Sequence, residues 1–304
     1  MRLPIPPLAQ ILDAQDRNVF VKKQQEFSSC FLTSAPLHSP SVLMGRIISV
    51  VNQKGGVGKT TTAINLGAYL AELGKFVLII DLDPQANATS GVGLDHRSLE
   101  RGLYEAIIGM AKLRDIVQPT SHETLRIAPA TGALAGLNVE LVSMPRREFK
   151  LYDALLEVRN DYDYILIDCP PTLGLITLNG LVASDEILIP VQAEYFALEG
   201  LGQLLETVGL VKERIRPEVD ILGAVVTMYD SRNKLSDDVL QELYKYFPNN
   251  IFRSVIPRSV RLAEAPSFGR SILAFDAASK GAKAYERLAR EVVDTERARI
   301  YSLI

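Results

Sequence analysis

The sequence predicts an α/β fold, with a doubly wound, mostly parallel sheet flanked by helices. Three observations carry that expectation. From Arg46 onward, short runs rich in Ile, Val and Leu alternate with helical patterns, the order that builds a parallel sheet with crossover helices. Several runs are apolar at consecutive positions, as strands buried on both faces must be. A glycine-rich segment, "VNQKGGVGKTTT" at 51–62, joins the first run to a helical one, at the sheet edge where such folds bind ligands.

Residues 1–44 read differently. They hold Pro4, Pro6, Pro7, Pro36 and Pro40 and the stretch "SSCFLTSAPLHSPS", without a sustained period. Such a segment is expected to be a disordered extension. Asp13, Asp16 and Glu26 count against an acid-poor targeting segment. Met44 as the true start is the favoured reading, because the ordered pattern begins at once with "GRIISVV". Residues 45–304 are expected to form the folded domain.

The expected strands are "RIISVVN", "FVLIID", "TLRIAPA", "YILIDCP", "EILIPV" and "DILGAVVTM", each bounded by turn formers. Helical patterns such as "ALEGLGQLLETVGLVKERI" separate them, and no internal repeat is evident. With 304 residues, 47% of them hydrophobic, the chain can bury a sizeable core. Its net charge of −3 leaves any basic surface local. Two cysteines, Cys30 and Cys169, make neither a disulfide framework nor a metal-ligand spacing. No run reaches the roughly 18 apolar residues of a membrane span. The expectation is a soluble, cytoplasmic protein.

The loop at 51–62 has the strand–loop–helix context of a phosphate cradle. Glycines 55, 56 and 58 let backbone N–H groups curl around phosphate oxygens, and the following helix points its positive end at the anion. Lys59 supplies charge to the β- and γ-phosphates, and the Thr60 hydroxyl is placed to ligate Mg²⁺. Val57 and Thr61 complete the ATP-binding loop. The general pattern G-x-x-x-x-G-K-[ST] calls for glycine at position 53, where this chain has Gln53. Lys54 opens the loop too early to duplicate Lys59. A charge there could instead reach phosphates held by a second subunit.

"KGGVGKT" resembles the deviant Walker A motif of the ParA/MinD ATPases, whose signature lysine crosses an ATP-sandwiched dimer. "DLDPQANATSG" (81–91), "YILIDCPPTLG" (164–174), "IPVQAEYFALEGL" (189–201) and "IPRSVRLAEAPSFG" (257–269) are similar to motifs of the ParA/Soj chromosome-partitioning branch. The five motifs stand in order across about residues 46 to 293. The resemblance implies a P-loop NTPase that uses ATP and Mg²⁺, with Lys54, Lys59 and Asp83 catalytic.

Asp81 and Asp83 end the strand "FVLIID" and enter a loop. By resemblance Asp83 orients the attacking water, which suits a transfer governed by placement and charge. Asp81 reads equally as a magnesium neighbour or as a turn former. Asp168, closing "YILID", fits a Walker B carboxylate, so Thr60, Asp81 and Asp168 form the expected metal set. Pro170 and Pro171 stiffen the loop that follows. The resemblance also brings Met228, Pro257 and Arg258 near adenine, though each could be ordinary packing. His38, His96 and His122 lie near no nucleophile motif and are expected to be structural or solvated.

The resembled branch implies an ATP-dependent homodimer that binds DNA without sequence preference on the nucleoid and is released when a ParB-type partner stimulates hydrolysis. A MinD-like role at a membrane or protein cargo is the alternative. It requires a basic amphipathic C-terminal helix. The Tyr285, Leu288, Val292 spacing in the tail fits core packing instead, so no membrane partner is expected. Electron transfer requires paired cluster cysteines, and Cys169 stands alone. From Lys245 to Arg270 there are five basic residues against one acid. Arg258 and Arg261, with Arg232 nearby, are the expected DNA contacts.

Overall fold

The computed structural model describes residues 44–194, 197–247 and 250–303. The expectation made for the N-terminal extension falls on residues 1–43, outside the described residues. Each expected strand forms: β1 (Arg46–Val50), β2 (Val77–Asp81), β4 (Leu125–Ala128), β5 (Tyr164–Asp168), β6 (Glu186–Gln192) and β7 (Asp220–Thr227). The addition is β3 (Gln118–Pro119), a two-residue antiparallel partner of β4. So short a strand has no readable period, and its proline is tolerated because it lies at the sheet edge.

The strand order is β3-β4-β2-β5-β1-β6-β7, parallel except for β3. β1, β2 and β5 are buried at every residue, which explains their unbroken apolar runs. The chain leaves β1 toward β2 on one side, and after β5 it runs to β6 and β7 on the other. β1 therefore lies at the switch point, where the crossovers diverge and open a crevice. Register sets what faces that crevice. Asp168 pairs with Val50 on one side and Asp81 on the other, so two carboxylates end level with the start of the glycine loop.

The helix α1 (Lys59–Glu72) follows the loop, and α2 (Asn87–Gly91) follows the Asp83 turn. Short helical turns lie on either side of β3 and β4, within residues 103–116 and 132–155. Then come α3 (Leu175–Ala183), α4 (Ala197–Arg214), α5 (Lys234–Tyr246), α6 (Val260–Glu264), α7 (Ile272–Asp276) and α8 (Lys280–Leu303). α1 is sandwiched between the sheet and α8, so nearly all of its faces are apolar. Leu66 and Leu70 share one buried core cluster with Ile48, Ile79 and Leu166 from the sheet and Tyr285, Leu288 and Val292 from α8. Burying each such side chain contributes about 1.5–3 kcal/mol. Polar pins fix the two helices: the Thr62 hydroxyl lies 3.1 Å from the Tyr285 hydroxyl, and the Ile272 N–H donates to Asn65 Oδ1 at 2.6 Å. The phosphate-loop helix is thereby tied to both C-terminal helices.

Candidate active site

Two glycines give the loop its curl. Gly56 (φ 73°) and Gly58 (φ 91°) lie in the left-handed region, where a Cβ would crowd the backbone. Gly58 is the N-cap of α1, and that helix end has neither a side-chain cap nor an acid in its first turn. Its leading N–H groups and its positive end are left for an anion. The curl is anchored from several sides. The Lys54 N–H donates to Asn52 Oδ1 (3.0 Å), and Asn52 Nδ2 donates to the Pro190 carbonyl (2.7 Å). Thr227 Oγ1 donates to the carbonyl of buried Val57 (2.8 Å). Lys59 Nζ donates back to the Lys54 carbonyl (3.2 Å).

Lys59 is only 7% exposed. Burial lowers its pKa, opposed by the negative charge of Asp168 and by Cys169 and Asp83. Thr60 and Thr61 follow, half-buried at the start of α1. Gly55 is exposed, and a Cβ there would meet nothing within 4 Å. Nothing in the described chain requires a glycine at this point.

The three aspartates differ sharply in their surroundings. Asp81 is fully buried, and its Oδ2 accepts from the Thr89 N–H (2.7 Å) and hydroxyl (2.6 Å). Its Oδ1 accepts from the Asp83 N–H at 3.3 Å. Burial pushes its pKa up to about 6 against these hydrogen bonds. Asp81 thus holds the turn that carries Asp83. Asp83 is 8% exposed, and its Oδ1 accepts from the Gln85 N–H at 3.0 Å.

Asp168 is fully buried and neither of its carboxylate oxygens has a hydrogen-bond partner. Burial first, then repulsion from Asp81, raises its pKa well above the carboxylate range, while the Thr60 hydroxyl and Lys59 oppose the shift. An orphaned buried carboxylate is costly unless a cation answers it. Among the described residues no group of three or more His, Cys, Asp or Glu gathers for a metal. The donor set is Asp168 and the Thr60 hydroxyl, few and hard. It suits Mg²⁺, which is usually held by one or two carboxylates together with substrate phosphates and water. Asp81, whose oxygens are taken by protein donors, fits that shell less well than Asp168 does.

The base-side candidates converge. The Tyr229 N–H donates to the Ile256 carbonyl (3.1 Å) and the Arg258 N–H to the Tyr229 carbonyl (2.9 Å), which brings Met228 beside Pro257 and Arg258. Met228 has φ 52°, and Gln192 Nε2 donates to its sulfur at 3.3 Å. The three expected DNA contacts all carry acidic partners. Arg232 forks onto Asp230 (2.9 and 2.8 Å). Arg258 pairs with Glu194 at 3.2 Å, and Arg261 pairs with both Glu264 and Asp276 at 2.9 Å.

A basic ridge escaped the sequence reading. Lys280, Lys283 and Arg287 are exposed on α8, and none forms an ion pair among the described residues. Their spacing of three and four residues puts them on one helix face. Exposed Arg270 just precedes α7. The helical period in "SKGAKAYER" held the signal, but a window ending at Arg270 misses it. The histidines lie apart from the site: His96 Nδ1 lies 3.1 Å from the Ser90 hydroxyl, His122 pairs with Glu72 at 3.6 Å, and His38 is outside the described residues. Cys169 is buried, and burial raises its thiol pKa.

A glycine-curled loop with a buried lysine, leading into an uncapped helix at a sheet switch point, defines a P-loop NTPase fold. A family model described as an AAA domain matches residues 45–221. The sporulation initiation inhibitor protein Soj of Bacillus subtilis is 51% identical over 82% of this chain and 98% of its own. The chromosome partitioning protein ParA of Myxococcus xanthus is 48% identical over 82% and 88%. A structure of cobyrinic acid a,c-diamide synthase from Mycobacterium smegmatis with bound ADP and magnesium superposes with a TM-score of 0.75. It is 36% identical, covering 84% of this chain and 96% of that one. This chain belongs to the ParA/Soj family of chromosome-partitioning ATPases.

Proposed function

We propose that this chain hydrolyses ATP to ADP and phosphate, and that the ATP-bound form is a dimer that holds DNA without regard to sequence. The observation that carries the reading is the buried, unpartnered Asp168 carboxylate beside Thr60 and Lys59, at the mouth of the glycine loop. The loop N–H groups cradle the phosphates and Lys59 neutralises the β- and γ-oxygens. Asp168 and Thr60 would hold Mg²⁺, with Asp81 behind them. Held there, Mg²⁺ would supply positive charge to offset the negative charge that develops on the phosphates. Asp81 fixes the turn through the Asp83 and Thr89 N–H groups, and Asp83 orients the attacking water. Met228, Pro257 and Arg258 border the base.

The exposed, unconstrained Gly55 supports close approach by a second copy, with Lys54 reaching the partner's phosphates. Two basic ridges on one dimer would multiply the points held on DNA, so dimerisation itself would switch affinity. A ParB-type protein would then release the chain by stimulating hydrolysis. The MinD-like alternative needs the apolar face of α8, but Tyr285, Leu288 and Val292 are buried in the core. Among the described residues no helix is long and apolar enough to cross a membrane.

Calorimetry with Mg²⁺-ATP tests the site. Lys59→Ala removes a buried charged donor and should weaken ATP binding by about 10- to 150-fold. Near-wild-type affinity would remove the phosphate-loop reading. Duplex binding measured with ATP and with ADP tests the switch, and equal affinity in both states would count against it.

A further inference from the structure

The side chain of Lys54 already has a partner within its own chain. Its ammonium lies 3.6 Å from Glu194 Oε2, and the other oxygen of the same carboxylate takes the Arg258 guanidinium at 3.2 Å. We propose that Glu194 is a brake on assembly: it holds Lys54 in cis and must release it before Lys54 can reach a partner's phosphates. The inference rests on the trans role for Lys54 proposed above.

Three backbone anchors make this a contest between side-chain partners alone. Lys54 is fixed through its own backbone, by its N–H on Asn52 and its carbonyl on Lys59 Nζ. Arg258 is fixed through its N–H on Tyr229. Glu194 lies just past β6, where its N–H donates to the Gln192 carbonyl at 2.7 Å and the neighbouring Ala193 N–H donates to the Thr227 carbonyl at 3.0 Å. The backbone can stay in place while the Lys54 side chain changes partner.

The pair has the strength a brake needs. The Lys54 and Glu194 side chains are 33% and 46% exposed, and ion pairs so open to water are weak. A phosphate group carries more charge than a carboxylate, so it can outcompete Glu194 once a second nucleotide-bound copy presents it. The carboxylate also ties Lys54 to Arg258, on the base side of the site. Release of Lys54 leaves the carboxylate paired with Arg258 alone.

Glu194→Gln keeps the shape of the side chain and removes its charge. With a non-hydrolysable ATP analogue and Mg²⁺, light scattering across a protein dilution series should show a dimer about two- to thirtyfold tighter than wild type. That range follows from releasing two exposed ion pairs of ordinary strength per dimer. The gain should vanish when Glu194→Gln is placed in a Lys54→Ala background, because the two groups then have no interaction left to remove. A dimer no tighter than wild type, or an equal gain without Lys54, would overturn the brake. Lys54→Ala alone separates the two failures. An undiminished Lys54→Ala dimer overturns the trans role, whereas a weakened one beside an unchanged Glu194→Gln dimer overturns only the brake.

Discussion

Single carboxylates in this site differ by what their oxygens touch. Asp168 has no hydrogen-bond partner and a raised pKa. The folded chain therefore keeps a proton that the unfolded chain releases. Stability from this group is full below the ordinary carboxylate range and falls as pH rises. Asp168→Asn should stabilise the metal-free, nucleotide-free chain by about 1–3 kcal/mol near neutral pH, with a smaller gain near pH 4. Denaturant unfolding at the two pH values checks this, and a more stable wild type at neutral pH would mean that Asp168 is answered within the chain. The same variant should lose most of the thermal stabilisation that Mg²⁺-ATP gives wild type. Asp83 calls for a different outcome. Asp83→Ala should bind ATP with little change yet turn over about 10²- to 10⁴-fold more slowly, the usual range for losing a positioned proton acceptor. Turnover within a few-fold of wild type would assign water positioning to another residue.

The loop as an element separates its glycines by physical cause. Gly58 has a left-handed φ and only ordinary contact with Thr227, its nearest neighbour at 3.8 Å. Its requirement is conformational rather than steric. Gly58→Ala should cost about 1–2 kcal/mol, visible as a melting temperature lowered by about 2–8 °C. Gly55→Val meets open space, so its melting temperature should stay within about a degree of wild type. If a second copy approaches there, the same variant should fail to dimerise with a non-hydrolysable ATP analogue. A stable Gly55→Val chain that still dimerises would show that nothing closes on this face.

At the scale of the whole molecule, the chain is acidic overall while its C-terminal helices carry a basic ridge. Arg261 is already offset by two carboxylates, whereas Lys280 and Lys283 have no ion pair among the described residues. Lys280→Ala with Lys283→Ala should lower the log–log salt slope of duplex binding by about 0.9 for each phosphate that these lysines neutralise. Arg261→Ala should lower it less, since its charge is shared in cis. A salt titration in the ATP state measures both. An unchanged slope in the lysine variant would move the DNA surface elsewhere. α8 can present this ridge only because its other face is fixed by Tyr285, Leu288 and Val292 against α1.

The sequence by itself determined the strands that β-branched runs can encode and the phosphate-loop context, and it singled out Lys54, Lys59, Asp83 and Asp168 as site candidates. These are local signals: an apolar run of five to seven residues, or a glycine where φ is positive, is legible without knowing its neighbours. The two-residue edge strand β3 had no such signal. Only the tertiary structure decided how the charges pair. Asp230, Glu194, Glu264 and Asp276 meet their arginines through turns and helix packing, so a count of basic residues overstated the free charge at Arg232, Arg258 and Arg261. The same holds within the site. Asp81 and Asp168 look alike at the ends of two strands, but Thr89 bonds one through both its N–H and its hydroxyl, while the other makes no such bond and has only the Thr60 and Lys59 donors nearby. Partner choice is set by distance in the fold, and at both places the groups that decide it come from other segments of the chain.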